Sequence, residues 1–345
     1  MPEVFDETLL DDEVALDRAD PVLRPLAEAG ARVRRESAES VEAVGACIDE
    51  VRDGQTRAVV AAGPDSRLLR AVLEPTCPVP FVAWPAQGLP GWAGSLDLVV
   101  MLAPHGDDPH SAAAVAEAVR RGCQVVVAAP AGSLVAQHAQ GRHCSLLPTV
   151  TGDQLASAVV VLDLLNRVGL GPAADAEQVA TALDDVAVAC SPHRDQTVNP
   201  AKLLAVALAD SVPVVWGGSV LAARAARRVA EAFRRSSGRS ALAGDAEHLL
   251  PVLGAATPRD LFDDPFADDG VAEPRPALVV LDDGTTDPGR TEVRDRLTAA
   301  ADEQRVRVEV VSSAGGTDVA RYASLLGQGQ WAAAYLGVGL GRNLF

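Results

Sequence analysis

Residues 96–130, LDLVVMLAPHGDDPHSAAAVAEAVRRGCQVVVAAP, constrain the fold more than any other stretch of the chain. Asp97, Leu98, Val99, Val100, Met101 and Leu102 form an almost unbroken apolar run. Such a run suits a strand covered on both faces. Pro104, His105, Gly106, Asp107, Asp108 and Pro109 break it with turn-forming residues. Asp108 is placed to cap a helix that accepts Pro109 in its first turn. Ala113, Ala116 and Val119 space one face of that helix, Gly122 ends it, and residues 123–129 read as a second buried strand. A strand–helix–strand of this size predicts a right-handed parallel crossover. Ligands of such sheets bind at the carboxyl ends of the strands, so the loop after Leu102 is the first place to expect chemistry.

The same alternation runs along the chain on both sides of this unit. Residues 1–20 carry eight acids and one Arg18, and read as a weakly structured tail or short acidic helix. Residues 21–53 have helical spacing of Leu23, Leu26, Val33, Val41, Val44 and Ile48, with Gly54 closing the helix. Strands are predicted over 57–62, 79–83 and 143–147, and helices over 66–73, 134–140 and 152–168. With the unit above, the first half holds five strands layered between helices. Gly169, Leu170, Gly171 and Pro172 mark the boundary, which gives domains of 1–172 and 173–345. A linking helix over 175–189 and a helix opened by Asn199 and Pro200 follow. The plan then repeats. Strands are expected over 212–216, 240–243, 277–281 and 306–311, with helices over 220–235, 245–253, 290–303 and 317–336. Residues 260–273 hold six acids and no base and read as a solvated insertion loop. Residues 337–345, GVGLGRNLF, read as a tail. The predicted class is α/β, with two tandem doubly wound three-layer domains and mostly parallel sheets.

Composition narrows the partners. A formal net charge of −17 repels nucleic-acid phosphates and anionic membranes, so neither is expected as a partner. No apolar stretch is long enough to span a bilayer. The five cysteines have no CxxC spacing and lie mostly in apolar runs, which argues for reduced thiols in the cytoplasm. Lys202 is the sole lysine, so the positive charge is carried by arginine.

The segment Asn199, Pro200, Ala201, Lys202, Leu203, Leu204, Ala205, followed by Pro213, Val214, Val215, Trp216, Gly217, Gly218, resembles the opening of the second domain in the sugar isomerase (SIS) superfamily. More closely, the chain is similar to the bifunctional glucose-6-phosphate/mannose-6-phosphate isomerases, in a divergent actinobacterial branch. The resemblance implies two SIS-type domains, a sugar-phosphate ligand, aldose–ketose isomerisation without a cofactor, and a homodimer. The alanine- and leucine-rich helices over 152–168 and 318–336 are expected to supply the dimer faces. The family's phosphate loop, roughly SxSGxT, falls on Ala103, Pro104, His105, Gly106, Asp107 and Asp108. The glycine is kept, and two acids stand where hydroxyls are expected. Pro64 removes a backbone N–H from the glycine turn after the first strand. The family's catalytic glutamate falls on Glu247, with His248 as the sole histidine after Asp245.

The expected catalytic pair is therefore Glu247 and His248, since isomerisation needs a base for the proton moving between C1 and C2 and an acid/base for ring opening. The expected ligand contacts are Gly63, Ser66, His105, Gly106, Ser111, Gly217, Gly218, Ser219, Arg235, Ser236, Ser237 and Arg239. Arg224, Arg228 and Arg235 recur on one helix face, a pattern that could neutralise a phosphate or simply be solvated. His105, Asp107, Asp108 and His110 contain metal-ligand types, but no second cluster completes a site, and no metal is expected. A non-catalytic sugar-phosphate sensor or scaffold on the same fold is the alternative, because a fold alone does not fix an activity.

Overall fold

A computed structural model describes residues 4–53, 56–257, 275–313 and 315–342. Its strands are β1 (Ala58–Ala62), β2 (Phe81–Trp84), β3 (Asp97–Leu102), β4 (Gln124–Ala129), β5 (Cys144–Pro148), β6 (Ser211–Gly217), β7 (Leu242–Ala243), β8 (Arg275–Asp282) and β9 (Val308–Ser312). They form two sheets. Sheet A has the order β2-β1-β3-β4-β5 and sheet B the order β7-β6-β8-β9. Every pairing is parallel. The α/β class and parallel doubly wound layout read from the sequence are the architecture observed.

The apolar runs explain why these segments are central strands. All six residues of β3 and all five of β1 are buried. Covering a Val or Leu side chain contributes about 1.5–3 kcal/mol, so β1, β3 and β4 anchor sheet A. In sheet B the same work is done by Val214, Leu278 and Val280, packed with Leu253 and Leu297.

The chain divides into two packing units. One comprises residues 29–184 and 316–323, and holds sheet A. The other comprises residues 1–28, 185–315 and 324–345, and holds sheet B. Residues 1–28, placed with the first domain by the sequence boundary at Gly171 and Pro172, pack in the sheet B unit.

Both ends of the chain bear on the expectations. Of the two readings of residues 1–20, the helix is the one observed: Glu7–Leu10 is a 3-10 turn and Glu13–Ala27 a helix capped by Asp12, with Leu10 and Leu23 buried. That helix contains Pro21 and Pro25, and a second helix, Ala29–Asp53, follows it. The expected tail is helix as far as Gly339, because the last helix is Asp318–Gly339. A Cβ at Gly339 would lie 2.2 Å from the Phe5 ring, and Asp6 donates its N–H to the Gly339 carbonyl at 2.7 Å. Glycine here permits a close approach rather than a chain end. Finally, the helices Gln154–Arg167 and Asp318–Gly339, expected as dimer faces, are largely buried within the chain itself. The expected insertion loop over 260–273 lies outside the described residues.

Lys202 is fully buried in the sheet B unit. Its three donors are all used: Asp11 at 2.6 Å, the Pro192 carbonyl at 2.9 Å and the Arg194 carbonyl at 3.0 Å. The Tyr335 ring covers it at 5.5 Å, and Asn199 caps its helix.

Candidate functional site

In each sheet the strand order reverses once, between β1 and β3 in sheet A and between β6 and β8 in sheet B. These are the topological switch points, and open α/β sheets take ligands at the carboxyl edge of such points. The sequence candidates fall into these two places and a third.

Around sheet A, the loop after β1 runs through Gly63, Pro64 and Asp65 into the helix Ser66–Leu73. Gly63 has φ +85°, and a Cβ there would lie 2.7 Å from the Met101 sulfur and 3.3 Å from Ser111 Oγ. The turn after β1 is thus packed against β3 and the helix Pro109–Arg120. Ser66 is 1% exposed and its hydroxyl has no hydrogen-bond partner among the described residues. Asp65 accepts from the Gln154 amide.

After β3, Gly106 is packed against Ser133 and passes its carbonyl to Val135 N–H at 3.0 Å. His105 is exposed, and its ring rests on Gly152, whose Cβ position is 3.3 Å from the imidazole. The loop carrying Gly152 is held from behind by the fully buried Glu36, which accepts from Val150 N–H at 3.0 Å and Thr151 N–H at 2.9 Å.

The helix Pro109–Arg120 begins at this edge with Asp108 as its cap. Asp108 accepts from Ser111 N–H at 2.8 Å, from the Ser111 hydroxyl at 2.5 Å and from His110 N–H at 3.3 Å. Burial pushes the Asp108 carboxyl up. The bonds from the Ser111 hydroxyl and the two amides outweigh this and hold it below the usual carboxylate value. Ser111, expected as a ligand contact, is 2% exposed and its hydroxyl is committed to Asp108. His110 lies 3.0 Å from the Gln87 amide. Among the described residues no group of three or more His, Cys, Asp or Glu is placed to hold a metal ion.

Around sheet B, Gly217, Gly218 and Ser219 form the turn after β6. A Cβ at Gly217 would lie 2.3 Å from the Ala222 carbonyl carbon, and one at Gly218 would lie 2.8 Å from the Trp216 ring. Both glycines are required by close packing. Ser219 caps the helix Val220–Ser237 through Ala222 N–H at 2.9 Å, and donates its hydroxyl to Asp283. Asp283 is 5% exposed and also takes the Thr285 hydroxyl at 2.6 Å. It therefore ties the loop after β8 to the loop after β6. The sequence reading missed this residue, because an Asp after an apolar strand looks like an ordinary strand end.

Glu247 and His248 lie in the first turn of the helix Ala246–Gly254, which follows β7 at this same edge. Both are exposed, and Glu247 has neither an ion pair nor a side-chain hydrogen bond among the described residues.

Arg235, Ser236, Ser237 and Arg239 lie elsewhere. The helix Val220–Ser237 has 18 residues, about 27 Å at 1.5 Å per residue. It leaves the carboxyl edge and returns the chain to the amino edge. Arg239 donates to the Ala209 carbonyl just before β6, and the buried Ser237 hydroxyl donates to the Phe233 carbonyl at 2.6 Å. Arg235 pairs with Glu231 at 2.6 Å, and Arg234 donates to the Ala241 carbonyl at 2.7 Å. The expected arginine and serine cluster is thus not brought to the edge that carries Gly217, Ser219 and Glu247.

Residues 197–343 match the family described as the bacterial phospho-glucose isomerase C-terminal SIS domain. No curated protein matches the sequence. Among solved structures, the chain is similar to tagatose-6-phosphate ketose/aldose isomerase from Escherichia coli, with TM-score 0.65 and 13% identity over 94% of each chain. It is also similar to a glucose-6-phosphate isomerase like protein from Thermus thermophilus, with TM-score 0.51 and 17% identity over 83% of this chain and 81% of that one. A third similar structure is the C-terminal domain of glucosamine-fructose-6-phosphate aminotransferase from Francisella tularensis, with TM-score 0.58 and 12% identity over 90% and 96% of the two chains. At these identities the neighbours speak for the fold. The family match covers residues 197–343, the part of the chain that holds sheet B.

Proposed function

We propose that the chain is an aldose–ketose isomerase of a phosphorylated hexose, interconverting glucose 6-phosphate or mannose 6-phosphate with fructose 6-phosphate. The observation that carries this reading is the exposed Glu247 carboxylate at the carboxyl edge of sheet B, inside the segment matched to the phospho-glucose isomerase domain. After the sugar ring opens, Glu247 removes the proton from C2. The electron pair forms the C1–C2 double bond of an enediol, and the carbonyl oxygen at C1 takes a proton. The C2 hydroxyl then gives up its proton, matching the one taken at O1, as Glu247 returns the carried proton to C1 and the carbonyl is left at C2. Atoms and electrons balance within the sugar, so the reaction requires no cofactor. His248 is adjacent in sequence and is assigned the ring-opening proton transfer. The reading includes a cytoplasmic homodimer, supported on the first count by the five free thiols. Light scattering tests the second.

A coupled assay on purified protein tests the activity. Glu247→Gln is expected to lower turnover by about 10²–10⁴-fold with folding intact. Unchanged turnover removes Glu247 from the chemistry, and absence of turnover for every hexose 6-phosphate removes the isomerase reading. A second reading, a sugar-phosphate binder without catalysis, is favoured by one observation: Asp108 fills the donors of the helix that begins at sheet A's switch point. Thermal stabilisation by a hexose phosphate without turnover supports that reading.

A further inference from the structure

We infer that the open edge of β9 is the surface through which two copies of this chain pair, strand to antiparallel strand, into one continuous sheet. The inference gives a contact to the homodimer of the reading above and rests on that part of it. It starts from a difference between the outer strands β5 of sheet A and β9 of sheet B. Along a parallel ladder, alternate residues turn their N–H and C=O to one neighbour and the others turn them away.

In sheet A, Val125 donates its N–H to the His143 carbonyl and Thr149 donates to the Ala129 carbonyl, so Cys144, Leu146 and Pro148 face outward. That outward row is mostly closed. Cys144 N–H goes to the Gly141 carbonyl at 3.2 Å. Pro148 has no N–H, and its carbonyl accepts the Ser40 hydroxyl of the helix Ala29–Asp53 at 3.4 Å. In sheet B, Leu278 donates its N–H to the Arg307 carbonyl at 2.8 Å and Ser313 donates to the Asp282 carbonyl at 2.9 Å, so Val308, Val310 and Ser312 face outward. The Ser312 carbonyl accepts the Gln328 amide at 2.9 Å. Among the described residues nothing bonds the outward main chain of Val308 or Val310, and Val310 is 47% exposed. Native chains ordinarily cover such an edge, because it is a template for another strand.

The strand itself identifies the occupant. Two identical edges related by a two-fold axis must run antiparallel. Centred on Val310, that pairing brings together the residues whose main chains face outward. Val310 meets its own counterpart and Val308 meets Ser312, while Glu309 stands opposite Val311 and Arg307 opposite Ser313. No charge directly faces a like charge, and each exposed Val310 covers the other. The stretch 304–313 carries two arginines and one glutamate, so two chains of net charge −17 can approach here without opposing acids. A five-residue strand makes a small interface, so the pairing is reversible and depends on concentration.

Sedimentation equilibrium from about 1 to about 500 µM tests this on wild type, Val310→Lys and Val310→Thr. Wild type and Val310→Thr are expected to dimerise as concentration rises. Val310→Lys sets ammonium against ammonium across the two-fold axis and should weaken dimerisation about tenfold or more. Hydrogen exchange on wild type decides the matter should the lysine variant fold poorly. The Val308 and Val310 amides are expected to be open in dilute protein and protected about tenfold or more at the highest concentration. Protection that ignores concentration means the edge is covered within one chain or by another partner, and overturns the inference. A dimer that Val310→Lys leaves intact also overturns it, while the homodimer reading stands. Wild type that stays monomeric throughout removes both, and turnover judges the isomerase reading separately.

Discussion

The two sheets share one plan and differ in where their acids point. In both, the helix after the strand next to the switch point opens with Asp-Pro. Asp108 caps Pro109–Arg120, and Asp287 caps Pro288–Glu303 by accepting Arg290 N–H at 2.9 Å. At sheet A the carboxylate turns onto its own helix. At sheet B a further carboxylate, Asp283, crosses the switch point and fastens Ser219. At one switch point the helix start is engaged by a charge from its own chain, and at the other the loops after β6 and β8 are tied together. The exposed glutamate of sheet B therefore lies to the β7 side of the staple. Two copies of one architecture can thus diverge in function through a few side chains at the strand ends, with the strands themselves unchanged.

The comparison can be broken at several points. The largest effect is expected at the glycine turns. Gly217→Ala forces a Cβ against the Ala222 backbone and should cost about 3 kcal/mol or more, because the backbone cannot step aside. Gly63→Ala at sheet A meets the flexible Met101 side chain and a positive φ, and should cost about 1–2 kcal/mol. Urea denaturation ranks the two, and a reversed order would show sheet A to be the more tightly packed edge.

Next come the acids. Asp283→Ala leaves the Ser219 and Thr285 hydroxyls without a shared acceptor and should cost about 2–3 kcal/mol. Asp108→Ala removes an N-cap and should cost about 1 kcal/mol. Equal losses would remove the distinction between staple and cap. The smallest effect is on pH dependence. Asp108 has a lowered folded pKa, so its contribution is complete above the unfolded aspartate value of about 4 and is lost as pH falls through the lower folded value. The stability difference between wild type and Asp108→Asn should therefore shrink on acidification below about pH 4. A difference that stays constant with pH would mean that the carboxylate gains nothing from its bonds.

Much of the scaffold was legible because burial writes itself into composition. The bounds of β3 and of the helix Ser66–Leu73, and the capping role of Asp108, follow from apolar runs and turn chemistry alone. The ends of the chain were harder. Gly337, Gly339 and Gly341 look like chain-end residues, and the role of Gly339 is to admit the Phe5 ring, a partner more than 300 residues distant. The candidate site was legible by position and not by partner. Spacing placed Ser111 at the right helix turn, but not its bond to Asp108. Arg235–Arg239 and Gly217–Ser219 were both expected to contact the ligand, but a helix of 18 residues carries its two ends to opposite edges of a sheet.

The burial of Lys202 has a consequence for anyone handling this protein. It is the only lysine, fully enclosed and held by Asp11. Amine-directed labels and cross-linkers therefore find no side-chain target on the native fold. Modification of that ammonium would report the moment the N-terminal segment lifts away, which makes an ordinary labelling reagent into a gauge of local opening.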